Sequence, residues 1–270
     1  MRMFVAGVRK LVRRPATFVT FGLLVGLLAL IILAVSATAN QIPDDEDGRE
    51  ALLLVTFPIA YTFIVSFILG LGGLFAVIYG AAIAGSEWTW GTLKSAVARG
   101  ESRARYQLLS FAAIALMLGI GLVVAFGIGV GLAFVGANIA GVSTAGMNDS
   151  TTLGTMPDTL ARGWLAIVEE GALGFAIATL ARSQLAGIGA GIAFFFGEQF
   201  ASIFLPDIVK YMPFNAANAV VQVAGGGPGG GGGSGGSSLT PEVALLVVIA
   251  WLVGALAVAT IFTERADISG

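Results

Sequence analysis

The side chains that could do chemistry in this chain are a few carboxylates and basic residues set among apolar runs, because the sequence contains no histidine and no cysteine. Their absence excludes a histidine-ligated haem, an HExxH zinc protease and any Ser-His or Cys-His hydrolase. The Gly-rich run 225–236 lacks the Lys-Ser/Thr pair of a Walker motif, so no ATP-binding loop is evident. We therefore predict that the chain has no catalytic residue, cofactor or metal of its own.

Glu169 and Glu170 are the most unusual polar residues, because they lie within a long apolar run. If Arg162 and Arg182 mark the two ends of the helix, the helical rise puts the pair about 10 Å from its outer end. An ionised carboxylate near the centre of a bilayer costs about 2–3 kcal/mol, so the pair is expected to face protein or water, or to be protonated. Two interpretations stay open. Both carboxyls hydrogen-bond within the bundle or at its outer rim, or they form an acidic lining of the outer vestibule that favours release or passage of cationic amphiphiles.

The polar segment Ser86–Arg105 separates two long apolar runs and holds four basic residues, Lys94, Arg99, Arg103 and Arg105. Basic residues next to membrane spans are typical of the cytoplasmic side. Trp90, Leu93 and Val97 recur at i, i+3 and i+7, which predicts a short helix with one apolar face. Gly100 is suited to end that helix. An amphipathic helix at the inner surface indicates a docking site, and an ordinary solvated loop is the alternative.

The composition indicates an integral membrane protein. Hydrophobic residues make up 57% of the sequence and charged residues 11%, with a mean hydropathy of +0.92, whereas soluble proteins average about a quarter charged residues. A bilayer crossing needs about 20 apolar residues, and six runs are long enough: Thr17–Ala37, Leu52–Ala84, Tyr106–Ala137, Leu160–Ala181, Gln184–Leu205 and Val243–Phe262. The predicted fold class is all-α with six transmembrane helices. Gly-x-x-x-Gly pairs at 22/26, 127/131 and 187/191 predict close helix packing.

The basic residues are distributed unequally between the segments that connect these spans. With the N-terminus inside, the inner segments hold eleven of them: Arg2, Arg9, Lys10, Arg13, Arg14, Lys94, Arg99, Arg103, Arg105, Arg182 and Arg265. The outer segments hold three: Arg49, Arg162 and Lys210. The positive-inside rule then predicts that both termini are cytoplasmic.

Residues 1–15 are predicted to form an interfacial helix on the inner leaflet, ended by Pro15. Its apolar stripe consists of Phe4, Val5, Val8, Leu11 and Val12, and basic residues surround it. The competing interpretation is a signal peptide cleaved near Ala37-Thr38-Ala39, but the apolar run before that site is longer than a typical signal sequence.

Four segments are expected on the outer side. Residues 43–50 are acidic and predict a solvated turn, and residues 138–158 predict an irregular loop. Residues 206–223 carry apolar side chains suited to the outer membrane interface. Residues 224–240 are so rich in glycine that they are predicted to be disordered.

The run Glu87-x-x-x-Gly91-Thr92-Leu93-Lys94, followed by Ser102-Arg103, resembles the permease subunits of ABC-2 type transporters. Arg13-Arg14-Pro15, Ala181-Arg182-Ser183 and Lys210–Phe214 agree with that family more loosely. The resemblance implies that residues 1–270 are one transmembrane domain and that residues 86–105 are a coupling segment. It also implies that this segment docks on a separate ATP-binding subunit through Glu87, Trp90, Gly91, Thr92, Leu93 and Lys94. Trp90 and Leu93 are expected to insert apolar surface into that partner.

The resemblance further implies a prokaryotic cytoplasmic membrane protein that works with a second permease chain, as a homodimer or a heterodimer. The partner ATPase would bind ATP and Mg²⁺, so this chain is not expected to be an enzyme by itself. Apolar spans favour export of an amphipathic or lipid-like cargo, with membrane lipid around the protein and no nucleic-acid partner. A six-helix secondary transporter or channel without an ATPase, and a structural membrane anchor, are the alternatives.

Overall fold

A computed structural model describes residues 2–41, 46–221 and 239–266, and every regular element within these ranges is helical. The α-helices are Arg2–Val12 (α1), Pro15–Thr38 (α2), Glu46–Leu53 (α3), Ile59–Thr89 (α4), Thr92–Val97 (α5), Arg103–Ala140 (α6), Ser150–Ala181 (α7), Gln184–Phe204 (α8), Pro206–Val209 (α9), Pro213–Val221 (α10) and Pro241–Arg265 (α11). The glycine-rich segment predicted to be disordered lies outside the described residues, apart from Leu239 and Thr240.

Six of the described helices, α2, α4, α6, α7, α8 and α11, are long and apolar enough to cross a membrane. Within the described residues this confirms the prediction of an all-helical fold with six candidate spanning helices, and it supports a multi-pass membrane protein. Helices satisfy every backbone hydrogen bond internally, which is the condition that a lipid environment imposes on a spanning segment. Hydropathy alone is therefore enough to find them.

The second span begins later than predicted. The apolar run from Leu52 was expected to be one helix, but Glu46–Leu53 forms the separate helix α3 and α4 begins only at Ile59. Pro58 immediately precedes α4, and a proline has no amide hydrogen to donate to the preceding turn. The acidic stretch expected to be a solvated turn is thus helical from Glu46 onwards, while residues 42–45 lie outside the described part.

The fourth span begins earlier than predicted, so the irregular loop expected over residues 138–158 is largely helical. Asp149 occupies the N-cap of α7, and its Oδ2 accepts hydrogen bonds from the Thr152 amide at 2.9 Å and the Thr152 hydroxyl at 2.6 Å. These bonds favour the ionised carboxylate and lower the pKa of Asp149. The cap starts α7 ten residues before the apolar run that begins at Leu160. Hydropathy gives no signal over these ten residues.

Helices α4 and α7 form the centre of the bundle and touch backbone to backbone. A Cβ added at Gly80 would overlap the Gly171 carbonyl oxygen, and one added at Gly174 would overlap the Val77 carbonyl oxygen. On α8, a Cβ at Gly187 would overlap Ala178, which brings this helix equally close to α7. Glycine is required at these positions because the neighbouring backbone occupies the space of any side chain.

The connections between helices bring several helix ends together at each of the two ends of the bundle. The Thr17 hydroxyl, near the start of α2, lies 3.0 Å from the Tyr79 hydroxyl in the last third of α4. Arg103 at the start of α6 reaches the last carbonyls of α11. We call this side the basic end: it holds the starts of α2, α6 and α8 and the ends of α4, α7 and α11, where most basic residues of the sequence lie. At the opposite end, the Tyr61 hydroxyl donates to the Met147 carbonyl at 2.8 Å.

Candidate functional site

Glu87 lies near the C-terminal end of α4, 3% exposed, and its carboxylate joins four parts of the chain. Lys10 Nζ donates to its Oε1 at 2.5 Å, and Arg14 Nη2 lies 3.4 Å from the same oxygen. Its Oε2 accepts hydrogen bonds from the hydroxyls of Thr92 and Tyr106. We call these five residues the Glu87 node. Two cations and two hydroxyl donors satisfy both oxygens, which is the condition for a buried carboxylate to remain charged at acceptable cost.

Arg14 anchors the corner between α1 and α2 against the end of α4. Its Nη1 donates to Ser86 Oγ at 2.6 Å, and its guanidinium lies 5.0 Å from the centroid of the Trp90 ring. The cation therefore has an ion pair, a hydroxyl acceptor and an aromatic face, each of which stabilises a positive charge out of bulk water. Because Pro15 starts α2 directly after it, the first spanning helix is fixed to the node.

The short helix α5 follows a backbone reversal at Gly91, whose φ of +62° is a conformation that favours glycine. Because of this reversal, Trp90 does not share the face of α5 that its i, i+3, i+7 spacing predicted. Trp90 is 64% exposed, whereas Leu93 is 2% exposed and packs against its own chain. Gly100, with a φ of +87°, turns the chain again before α6.

Five of the six residues predicted to dock a partner divide into two groups, and the sixth, Gly91, forms the turn before α5. Glu87, Thr92 and Leu93 face the protein and hold the segment in place. Trp90 and Lys94 lie on the exposed side. The expectation that Leu93 inserts into a partner does not fit this structure, because the short helix turns its apolar side chains, Leu93 and Ala96, towards α4 and α6.

Arg103 and Arg182 tie the remaining helices into the basic end. Arg103 Nη1 donates to the carbonyl oxygens of Thr263, Glu264 and Ala266 at 3.3, 3.0 and 2.7 Å. These belong to the end of α11, where helix carbonyls lack internal partners. The guanidinium of Arg182 lies 5.2 Å from the centroids of both the Trp88 and the Phe262 rings, so it joins the end of α7 to α4 and α11.

Glu169 and Glu170 are enclosed by protein in the middle of the bundle. Glu169 is 0% exposed, and neither of its carboxyl oxygens has a hydrogen-bond partner among the described residues. The Glu170 carboxyl lies directly over Gly73 of α4, where any side chain would overlap it. The pair therefore faces protein, which is one of the three arrangements expected. Hydrogen bonding within the bundle does not account for Glu169, and a role of the pair in a cargo path stays a prediction.

The depth predicted for this pair is also corrected. The predicted depth was measured from Arg162, on the assumption that the helix begins there, whereas α7 begins at Ser150. Glu169 lies about 28 Å from that start, and Glu170 lies about 17 Å from the end of the helix at Ala181. The pair is therefore closer to the basic end than to the opposite one.

A third buried carboxylate, Glu198 on α8, holds the start of α10. Its Oε1 accepts from the Asn215 amide at 2.6 Å and the Asn215 side-chain nitrogen at 2.8 Å, and its Oε2 accepts from the Phe214 amide at 3.3 Å. The first amides of a helix lack internal partners and carry partial positive charge, so a carboxylate there is stabilising. The chain turns back through α9, and α10 packs between α7 and α11 rather than lying at an outer interface.

Sequence reasoning missed the partners that give these carboxylates their roles. Lys10 lies in α1 and Arg14 lies in the corner after it, and nothing in the sequence connects either side chain with Glu87. Glu198 lies within a predicted span, and only the return of α10 explains a carboxylate at this position. Within the described residues, no group of three or more His, Cys, Asp or Glu side chains could hold a metal ion.

No family model matches the chain, and a search of curated proteins found no match to it.

Proposed function

We propose that this chain is the permease subunit of an ATP-driven membrane exporter, and that a separate subunit binds ATP and Mg²⁺ and hydrolyses the ATP. The observation that supports this most is the Glu87 node. It fixes a short surface helix, α5, to α1, α4 and α6 through a buried and fully hydrogen-bonded carboxylate. A surface helix that is fixed in this way is suited to transmit a displacement caused by a partner to the spanning helices.

In this proposal the basic end is cytoplasmic, since eleven of the fourteen basic residues belong to segments there. Both termini are then cytoplasmic, α1 lies along the inner leaflet, and α5 is the coupling helix. The membrane is the cytoplasmic membrane of a prokaryote. The surface offered to the ATPase is the exposed side of the segment, where Trp90 projects 64% exposed.

The proposed mechanism depends on which helices are rigidly connected to one another. Helices α4 and α7 touch backbone to backbone, so they move as one body, and the Glu87 node attaches α5 to the end of α4. Closure of two ATPase subunits would displace α5 and, through α4, rotate the α4–α7 pair relative to the same pair in a second permease chain. Nucleotide binding thereby biases a two-state equilibrium of the path between the chains. The apolar spans favour an amphipathic or lipid-like cargo.

The proposal is tested by purifying the tagged chain from its native cells in mild detergent and identifying what accompanies it. We expect a soluble subunit with a Walker A motif, and ATPase activity that the permease alters. Trp90→Ala should weaken this association because it removes the exposed ring. The matched control is Tyr211→Ala, which removes an exposed aromatic ring at the opposite end.

Two results would contradict the proposal: purification without any ATPase under conditions in which the chain stays folded, or equal association of both variants and the unmodified chain. A structural membrane anchor would also tolerate Trp90→Ala, and would show no nucleotide-dependent change in transport.

The buried carboxyls favour a second candidate, a proton-coupled secondary transporter. Glu169 has no hydrogen-bond partner among the described residues, and ionisable groups inside membrane spans mark proton pathways in many transporters. In that case vesicles containing only this chain should move cargo when a pH gradient is imposed, and Glu169→Gln should abolish the movement. Transport that requires ATP and survives Glu169→Gln would exclude this candidate.

A further inference from the structure

The basic side chains at the end of α1 and in the turn after it point in two directions. Lys10 and Arg14 turn towards the protein and bind Glu87. Arg9 and Arg13, also four residues apart, are exposed and form no ion pair with any described residue. Because the protein already neutralises Glu87 with the first pair, the second pair offers two positive charges to whatever lies beside α1.

A groove of about 390 Å³ lies between α1 and α6, next to these two arginines. Its walls are apolar and include Val5, Val12 and Leu116, while Arg9 and Arg13 form its charged rim. Val5 and Val12 are about half exposed, so this apolar surface is not covered by the protein itself. The occupant must therefore combine a negative group with a hydrocarbon portion.

The groove is at the level where the spanning part of the bundle begins. A Cβ at Gly121 of α6 would lie 3.8 Å from the Phe21 ring of α2, and both helices start at the basic end. Leu116 is five residues closer to that end, about 7.5 Å along the helix, and so is level with the first turn of α2. On the proposed orientation, this is the boundary between the inner headgroups and the hydrocarbon.

An exposed apolar track leads from the groove towards the middle of the bilayer. Leu116, Ile120 and Val123 follow one another at i, i+4 and i+7, and are 38%, 47% and 59% exposed. Residues at this spacing lie on one face of a helix. The track extends about 10 Å along α6, which is long enough to contact the half of an acyl chain that is nearest the headgroup.

We infer that this groove binds a phospholipid with an anionic headgroup, whose phosphate lies between Arg9 and Arg13 and one of whose acyl chains runs along Leu116, Ile120 and Val123. Guanidinium groups bind phosphate oxygens through paired N–H donors, and arginine stems extend over apolar surface while the charged head stays at the interface. An anionic headgroup leaves net attraction to both arginines, whereas the ammonium of a zwitterionic headgroup opposes it. The site rests on the proposed cytoplasmic placement of the basic end, but not on the presence of an ATPase.

The test is a lipid titration of the purified full chain by native mass spectrometry, using phosphatidylglycerol and phosphatidylcholine with identical acyl chains. We expect preferential retention of phosphatidylglycerol. The double variant Arg9→Gln/Arg13→Gln should bind it roughly 30-fold more weakly, since each basic residue near an anionic headgroup contributes about fivefold. The matched control, Arg99→Gln/Arg105→Gln, removes two basic residues of the same end that lie outside the groove, and should retain the lipid.

A second variant, Leu116→Trp, fills the groove without changing charge, and should reduce retention of both lipids. Equal retention of the two lipids by the unmodified chain, or equal loss in the two double variants, would overturn the site. If Arg9→Gln/Arg13→Gln leaves lipid retention unchanged but weakens association with an ATPase, the arginines contact that partner and the lipid site is wrong. Absence of any ATPase, with selective lipid retention intact, would contradict the proposed function and leave this site standing.

Discussion

Lys10 and Glu87, which are 77 residues apart in sequence, form an ion pair of 2.5 Å between the first helix and the end of the second spanning helix. Arg14, Thr92 and Tyr106 complete the shell around the same carboxylate. One buried charge thus joins the segment before the first span to the surface segment after the second. This relationship is the structural basis of the proposed coupling role.

Replacement of Glu87 by glutamine should destabilise the protein by about 3 kcal/mol, because it leaves the largely buried Arg14 without its counter-charge. Thermal unfolding in detergent would measure the loss. Glu101→Gln is the matched control, since the Glu101–Arg105 pair is 3.7 Å long and accessible to solvent, and surface pairs contribute about 0–1 kcal/mol. Similar melting temperatures for the two variants would show that the node is not a stabilising centre.

Leu93→Ala should destabilise the folded chain by about 2–4 kcal/mol, because the side chain is buried against α4 and α6. Proteolysis of the segment after α4 would detect the loosening, even if the protein still inserts in the membrane. Ser95→Ala serves as the control for the same segment because Ser95 is exposed, and it should leave protease resistance nearly unchanged. A stable Leu93→Ala protein that fails only in partner association would restore Leu93 as a docking residue.

Gly174→Ala should prevent α4 and α7 from approaching, at a cost of about 3 kcal/mol, because the added methyl group overlaps the Val77 carbonyl oxygen. Gly127→Ala is a control of the same chemistry in another spanning helix, since a Cβ there meets no described atom within 4 Å. Unfolding of both variants in mixed detergent would be compared. The central contact would be disproved by two equally stable variants.

Glu198→Gln should loosen α10, because a neutral amide replaces the carboxylate that accepts bonds from Phe214 and Asn215. Hydrogen bonds to charged groups contribute about 1.5–3 kcal/mol, so amide exchange in α10 should accelerate roughly 30-fold. Hydrogen exchange with mass spectrometry would measure it. Glu242→Gln, an exposed carboxylate in the first turn of α11, is the control, and unchanged exchange in Glu198→Gln would refute the cap.

Labelling of single cysteines should establish the topology without background, because the native chain has none. Asp47→Cys and Gly231→Cys should react with an impermeant reagent added outside intact cells. Ser95→Cys, on the exposed side of α5, should react only after the cells are opened. External labelling at Ser95→Cys would reverse the orientation and remove both the coupling role and the inner-leaflet lipid site.

Much of the candidate site depended on contacts that sequence reasoning could not reach. Glu87 was singled out from a motif, yet its role depends on Lys10 and Arg14 from the N-terminal segment. The three Gly-x-x-x-Gly pairs looked equivalent, but Gly187 and Gly191 contact neighbouring helices, whereas Gly22, Gly26, Gly127 and Gly131 have no described neighbour at the Cβ position. The spacing permits close packing, but a facing helix must also be present.

The sequence by itself determined that six apolar helices are formed, because lipid leaves a chain no other way to satisfy its backbone, and hydropathy records that constraint residue by residue. It also determined which end of the bundle carries the basic residues. The tertiary structure alone decided that Leu93 is buried while Trp90 is exposed, that Glu169 lacks a described partner, and that α10 returns to Glu198. These outcomes depend on pairings between helices distant in sequence, and periodicity within one segment carries no information about which helix packs against it.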